Sequence, residues 1–306
     1  MNLNNLPFDE LMDILVECQD ETIMEIVDIA HSMGKVHALA SRDIPVDLFH
    51  ALISLEKNMI DYFAKYSRNE YFLDIAWNCG VKNICLLENP HLPLGIAKKV
   101  ILTNKDVEKI CCTNKNDDVV LYALSVFTKC THPMTLRDVC LSLRNKEMVS
   151  TLLDRVGNGS VEEKIIAESV DKEFLDVFYG RDNTEYVNGT IIKRSDDQSF
   201  INSFQNSTSP AIVSAVISKT DDVDYLRRMW KEYGDEYVKN IAGRKIAPDD
   251  LLMDIATHTQ QDGIVKVLWS RCMQNHSLVS AIIHNESIRK SDREYAKEYL
   301  SFIRGN

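Results

Sequence analysis

A short stretch at 94–110, LGIAKKVILTNKDVEKI, recurs in altered form along most of the chain and constrains the fold more than any other feature. It consists of two apolar segments separated by a polar elbow at 104–106. The stretch at 210–226, PAIVSAVISKTDDVDYL, has the same pattern. The apolar positions of the two stretches coincide in pairs: Ile96 and Ile212, Val100 and Val216, Ile101 and Ile217, and Val107 and Val223.

Looser copies of the stretch indicate a regular repeat. They start near residues 44, 69, 93, 135, 160, 183 and 209, with one degenerate copy at 117–126. The spacing gives a unit of roughly 23–26 residues, and self-similarity of this period is typical of stacked repeat architectures.

Each half of the unit has apolar residues at helical spacing, which predicts an amphipathic helix with one apolar stripe. Such short helices do not persist alone in water. Stacking unit on unit buries the stripes in a core that grows lengthwise. The sequence therefore predicts an all-α fold, an α-solenoid of stacked short helical hairpins. The polar elbows fit helix caps, and prolines mark unit starts as first-turn residues, at Pro45, Pro93, Pro210 and Pro248.

The run Asn89-Pro90-His91-Leu92-Pro93, followed by an aliphatic helix, resembles the HEAT-like and variant leucine-rich families of helical solenoids. The resemblance covers about 44–270 and implies a helical repeat array. Some variant leucine-rich proteins hold an iron–sulfur cluster on clustered N-terminal cysteines. This chain has no such cluster of cysteines, so no cofactor is expected. The residues leave open an irregular all-helical globule as the alternative.

Charge is distributed unevenly along the chain, whose net charge is −11. Residues 1–34 carry −8 and contain no Lys or Arg, whereas residues 225–306 carry +2. We therefore expect one continuous domain with an acidic N-terminal cap at 1–40, a repeat array at 41–275 and a basic C-terminal cap at 276–306. Solvation of a terminal repeat is one explanation of the acidic charge. Docking of a basic partner protein is a second, and its candidate contacts are Asp9, Asp13, Glu17 and Asp20. A head-to-tail contact with the basic C-terminal end of another copy is a third.

The segment 6–34 is also similar to the F-box, in which a Leu-Pro opening precedes short helices that dock an adaptor subunit. The matching positions are Leu6, Pro7, Asp9, Leu11, Ile14, Leu15 and Ile23. Glu10 and the run 19–21 depart from the family pattern. The resemblance implies an F-box-like adaptor, and an ordinary capping helix is the alternative.

A second candidate surface lies at 223–245, where basic and aromatic residues are interleaved. That combination can follow a nucleic-acid strand by phosphate contacts and stacking, as HEAT-like DNA glycosylases do. Interspersed acids and the negative whole-chain charge argue against nucleic acid and favour a mixed, solvated helix. The candidate partner-binding residues are Arg227, Arg228, Trp230 and Lys231.

The motifs of enzymatic chemistry are missing from the sequence. Phosphate loops, metalloprotease motifs and nucleophile elbows are absent. The eight cysteines contain no C-x-x-C pair, and a metal site from Cys79, Cys85, Cys111 and Cys112 would fit no zinc template. His91 and His132, beside prolines, and the acidic pairs at 117–118, 196–197, 221–222 and 249–250 fit structural roles at loops and helix ends.

These patterns predict a non-enzymatic scaffold that binds a macromolecular partner, a protein, through the solenoid surface and the acidic cap. The alternatives are the F-box-like adaptor, an acidic inhibitor or mimic that occupies a nucleic-acid-binding protein, and a HEAT-like nucleic-acid-binding protein. Without a leader-like start or a membrane-spanning apolar run, we expect a cytoplasmic location and no membrane contact. The sequence does not indicate an oligomeric state.

Overall fold

The computed structural model describes residues 6–17, 20–101, 103–128, 133–272 and 275–304. The chain divides into two compact units, Met1–Val177 (unit 1) and Phe178–Asn306 (unit 2). The described residues form helices and no strand, and neighbouring helices pack in pairs. The all-α, solenoid-like fold class is thus confirmed. The caps at 1–40 and 276–306 stay predictions.

Unit 1 consists of short α-helices in two interleaved series. Odd-numbered helices pack on one another from α3 to α13, and even-numbered helices pack from α6 to α12. A 3₁₀ helix at Lys172–Phe178 follows. The helices are α1 (Phe8–Glu17), α2 (Asp20–Ser32), α3 (Val36–Ala40), α4 (Val46–Leu55), α5 (Met59–Tyr66), α6 (Glu70–Asn78), α7 (Asn83–Leu87), α8 (Leu94–Val100), α9 (Asn104–Thr113), α10 (Asp117–Ser125), α11 (Pro133–Ser142), α12 (Lys146–Arg155) and α13 (Val161–Ser169).

Unit 2 also consists of short helices that pack on their neighbours. Helices α14, α16, α18 and α20 pack in sequence, while α21 packs against α19, α20 and α22. A short 3₁₀ helix, Gly234–Glu236, precedes α18. The α-helices are α14 (Glu185–Arg194), α15 (Gln198–Asn202), α16 (Pro210–Lys219), α17 (Val223–Tyr233), α18 (Val238–Ala242), α19 (Asp249–His258), α20 (Ile264–Cys272), α21 (His276–His284) and α22 (Lys290–Arg304).

Local capping explains where many of these helices begin. The Thr103 side chain accepts from the Asp106 backbone N–H, and the Thr103 N–H donates to the Asp106 carboxylate at 2.8 Å, which makes a capping box. The Asp197 and Asp222 side chains cap α15 and α17 by accepting from the backbone N–H groups of Phe200 and Tyr225. The predicted elbows are therefore helix starts. Pro210 is the first residue of α16, whereas the other three prolines hold the preceding N-cap position, at Pro45, Pro93 and Pro248.

Apolar stripes of the helices form the core of each unit. In unit 1, Phe49 of α4 stacks on Phe72 of α6 with ring centroids 4.1 Å apart, and it meets Phe63 of α5 edge-on. All three rings are fully buried, and burial of such a side chain contributes roughly 1.5–3 kcal/mol. The core of unit 2 is aliphatic, around Val216, Leu252 and similar residues.

Buried polar donors connect consecutive hairpins. Asn89, which is fully buried, donates from Nδ2 to the carbonyls of Ala64 (2.9 Å) and Ser67 (2.8 Å) at the end of α5. Its Oδ1 accepts from the His91 N–H at 2.7 Å. A helix leaves its last carbonyls without intrahelical donors. Asn89 satisfies two of them from the following hairpin.

The same device recurs at other helix ends, and we call the set the carbonyl ladder. Each member donates to a main-chain carbonyl that lies 22 to 30 residues earlier. In unit 1 the further members are Asn114, which donates to Asn89 and Leu92, and Arg144, which donates to Asn114. In unit 2 they are Arg244 to Ser218 and Thr220, Arg271 to Lys245 and Ala247, and Asn285 to Ala256 and Thr259.

Ion pairs link the same neighbours. The Glu88 carboxylate at the end of α7 lies between Lys65 of α5 (2.6 Å) and Lys109 of α9 (3.1 Å). Hydrogen bonds from both ammonium groups hold the pKa of Glu88 below its ordinary value, and the contact with Glu88 raises the pKa of Lys65. Glu88 therefore connects three consecutive hairpins.

Replacing Asn89 by Leu should lower the free energy of unfolding by about 2–4 kcal/mol, because two buried carbonyls lose their donor. Urea denaturation followed by circular dichroism measures the change. Asn78→Leu, at an exposed position with one 3.4 Å side-chain contact to Asp74, is the matched control. Equal stabilities of the two variants would contradict a structural role for the ladder.

Replacing Glu88 by Gln should cost about 1 kcal/mol at neutral pH. Because the pKa of Glu88 is lowered in the folded state, the wild type should exceed Glu88→Gln in free energy of unfolding by the full amount above the ordinary glutamate pKa of about 4.3. This difference should disappear as the pH falls through the lowered value. Urea midpoints between pH 3 and 7 check this, with the exposed Glu25→Gln as control. A difference that stays constant over this range would show that charge is not the cause.

Candidate functional site

The elbows that join odd to even helices in unit 1 lie side by side, and we call this line of segments the elbow edge: 41–45, 67–69, 88–93, 114–116 and 143–145. Neighbouring elbows contact each other directly. Asn69 Nδ2 donates to Asp43 at 3.1 Å, the Lys115 N–H donates to the Pro90 carbonyl at 2.8 Å, and Arg144 donates to the Asn114 carbonyl. The carbonyl ladder runs through the same segments.

Every elbow of this edge contributes one cationic or titratable basic side chain, and together they form the cation row: Arg42, Arg68, His91, Lys115 and Arg144. Carboxylates already bind its two ends, since Arg42 pairs with Asp9 and Arg144 pairs with Asp117 at 2.6 Å. For the three middle side chains, the described part of the chain supplies no acidic partner.

The middle of the row concentrates positive charge at the surface. Arg68 and Lys115 are exposed and His91 is half-buried. Burial lowers the pKa of His91, and the charges of Arg68 and Lys115 lower it further. The imidazole is thus within electrostatic reach of both cations. The nearby Glu88 carboxylate is already bound by two lysines, so it does not neutralise the row.

A surface cleft of about 380 Å³ adjoins the row between the first two elbows. Its lining consists of Ser41, Arg42, Asp43, Arg68 and Asn69. Asn69 is engaged by Asp43, while the Arg68 guanidinium is exposed beside the opening. The cleft can admit a polar side chain of a partner with Arg68 as its donor.

The acidic residues predicted as partner contacts lie on α1 and at the start of α2. Asp9 pairs with Arg42 of unit 1, and Asp13 is exposed. The side chains of Glu17 and Asp20 lie outside the described residues. Of the residues that carry the F-box resemblance, Leu11, Leu15 and Ile23 are buried in the unit 1 core.

Most of the predicted basic and aromatic residues of α17 make contacts inside unit 2. Arg227 binds Asp250 with two hydrogen bonds of 2.6 and 2.9 Å, which raise the pKa of Arg227 and lower that of Asp250. Trp230 Nε1 donates to Asp254 at 2.6 Å. These contacts join α17 to α19.

The two remaining basic residues of this group differ in their environment. Arg228 donates to the Gln205 carbonyl at 3.0 Å and lies over the Tyr225 ring, whereas Lys231 is exposed. The roles of α1 and α17 residues in partner binding stay predictions.

Cysteines and histidines are dispersed. Cys111, Cys140 and Cys272 are buried, while Cys79 and Cys112 are exposed, and all five are free thiols. Within the described residues, no group of three or more His, Cys, Asp or Glu is arranged to hold a metal ion. His132 lies outside the described residues. Among the helices that the structure describes, none combines the length and apolar character needed to cross a membrane.

Comparisons of the chain with protein-family models, curated proteins and solved structures find no match. The cation row is therefore defined by its geometry alone.

Sequence reasoning missed the cation row because it treated His91 as an isolated loop residue. Arg68 and Lys115 directly follow the buried polar residues Ser67 and Asn114. A basic residue directly after a polar elbow residue, which also occurs at Ser41-Arg42, is the signal that could have revealed part of the row.

Replacing Arg68 or Lys115 by Gln should raise the pKa of His91, because each substitution removes a charge that disfavours the imidazolium. NMR titration of the imidazole measures this change. Lys57→Gln, which removes an exposed charge at 56–58, between α4 and α5, should leave the pKa unchanged. An unchanged His91 pKa in both test variants would show that the charges of Arg68 and Lys115 do not act on the imidazole.

Proposed function

We propose that this protein is a non-enzymatic interaction scaffold that binds another protein along the elbow edge of unit 1. One observation carries the proposal. Three consecutive elbows present Arg68, His91 and Lys115 within two residues after a buried polar residue, and the described residues give them no acidic partner. A repeat that displays one side chain per unit suits an extended macromolecular partner better than a small ligand.

Several polar and charged side chains near the cation row already have partners within the chain, which supports the proposal. Asn89, Asn114 and Arg144 are engaged in the carbonyl ladder, and Lys65 and Lys109 are engaged by Glu88. Those side chains maintain the fold. The three middle members of the cation row are left for an external contact, and their charge would direct an acidic partner to the edge.

A second surface of the same scaffold is the exposed face of α1. Residues 1–34 carry −8, and Asp13 is solvent-exposed without a carboxylate-binding partner in the described chain. This face would suit a basic protein. An acidic mimic of nucleic acid would use the same face, whereas an F-box-like adaptor would need Leu11 and Leu15, which the unit 1 core buries.

Affinity purification with the tagged protein, in extracts of cells that express it, tests the proposal. We expect a specific partner whose recovery falls at least fivefold with the double variant Arg68→Glu and Lys115→Glu, because like charges then meet. A separate Asp13→Asn variant tests the α1 face. If a basic partner binds there, its recovery should fall with this variant and not with the Arg68 and Lys115 variant.

The matched control reverses two charges at elbows that lie outside the elbow edge, Lys57→Glu with Lys82→Glu. Both lysines are exposed, at 56–58 and 79–82. Circular dichroism confirms that each variant is folded. Partner recovery that is equal for the elbow-edge variant, the control and the wild type would refute docking on this edge.

A further inference from the structure

We propose that the cation row binds an acidic, unstructured segment of the partner in polyproline II conformation, with carboxylates three residues apart. The inference rests on the proposed function and specifies what the elbow edge recognises.

The first step is the spacing of the row. Each middle member comes from a different hairpin, and the odd helices behind them, α5, α7 and α9, pack directly on one another. Packed helix axes are about 8–10 Å apart. The elbows that carry Arg68, His91 and Lys115 therefore recur at about that interval along the edge.

The second step is the ligand geometry that matches this interval. A polyproline II helix has three residues per turn and rises about 3.1 Å per residue, so every third side chain lies on one face at about 9.3 Å intervals. A β-strand places same-face side chains about 6.6 Å apart, which is too close for one carboxylate per elbow. Polyproline II is also a major conformer of unfolded chains, so an unstructured segment adopts it at low cost.

The third step concerns the chemistry of the ligand. Carboxylates occupy both ends of the row within the chain itself, Asp9 on Arg42 and Asp117 on Arg144. Arg144 donates to Asp117 through both Nε (3.1 Å) and Nη2 (2.6 Å). A carboxylate of the partner bound to Arg68 would form the same kind of arginine–carboxylate pair. The cleft beside Arg68 has room for the side chain that bears this carboxylate.

Charge around the row favours a peptide over nucleic acid. Asp43 lines the cleft beside Arg68, and the whole chain has a net charge of −11. A continuous polyanion would meet these carboxylates along its length. A peptide with one carboxylate per turn brings fewer like charges near Asp43.

Fluorescence anisotropy with two labelled peptides of equal composition tests the inference. The first is (Glu-Pro-Pro)₃, with one glutamate per turn, and the second has three prolines, three glutamates and three prolines in succession. We expect the wild-type protein to bind the first roughly tenfold more tightly at 50 mM salt, from exposed ion pairs with Arg68 and Lys115 and a hydrogen bond from His91, whose lowered pKa favours the neutral imidazole. Arg68→Glu with Lys115→Glu should abolish the difference, whereas Lys57→Glu with Lys82→Glu should retain it.

The outcomes separate this inference from the proposed function. Equal affinity for the two peptides would overturn the three-residue spacing, while partner capture that depends on Arg68 and Lys115 would still stand. Tighter binding of an oligothymidylate than of either peptide would overturn the peptide ligand in favour of nucleic acid. Binding of the first peptide that resists the Arg68 and Lys115 reversal would overturn the location on the elbow edge.

Discussion

The architecture of both units depends on one constraint, which is that the end of a helix leaves main-chain carbonyls without intrahelical donors. Helices as short as α7, with five residues, have few internal hydrogen bonds in proportion to these free ends. Buried carbonyls need donors, and Asn89, Asn285 and Arg244 supply them from the following hairpin. Burial of the apolar stripes holds neighbouring helices together, and the side-chain donors set the register between consecutive hairpins.

This division of roles explains how a surface becomes available for binding. A side chain at an elbow either contacts the neighbouring hairpin or faces solvent. Asn114 is buried and engaged, whereas Lys115, the next residue, is exposed. At these positions adjacent residues thus serve the fold and the surface separately, and Ser67 and Arg68 show the same division two hairpins earlier. The cation row follows from the same periodicity that builds the core.

The sequence predicted the helices well where the signals are local. Predicted starts near 69, 93, 183 and 209 correspond to α6 at Glu70, α8 at Leu94, α14 at Glu185 and α16 at Pro210. Caps and apolar spacing are properties of a few neighbouring residues, so one sequence suffices to read them. The ladder and the cation row join residues more than twenty positions apart. The sequence pattern alone therefore does not reveal these partners, and the same holds for Arg227, which binds Asp250 one hairpin later.

The ladder also has a direction. In each of its six members, from Asn89 to Asn285, the donor comes later in the chain than the carbonyl that it binds. Synthesis on the ribosome proceeds in that same order. At these six positions, a hairpin that has just been synthesised therefore has carbonyls without donors until the next hairpin follows. The newest folded part of the growing chain thus offers the acceptors that position the next hairpin.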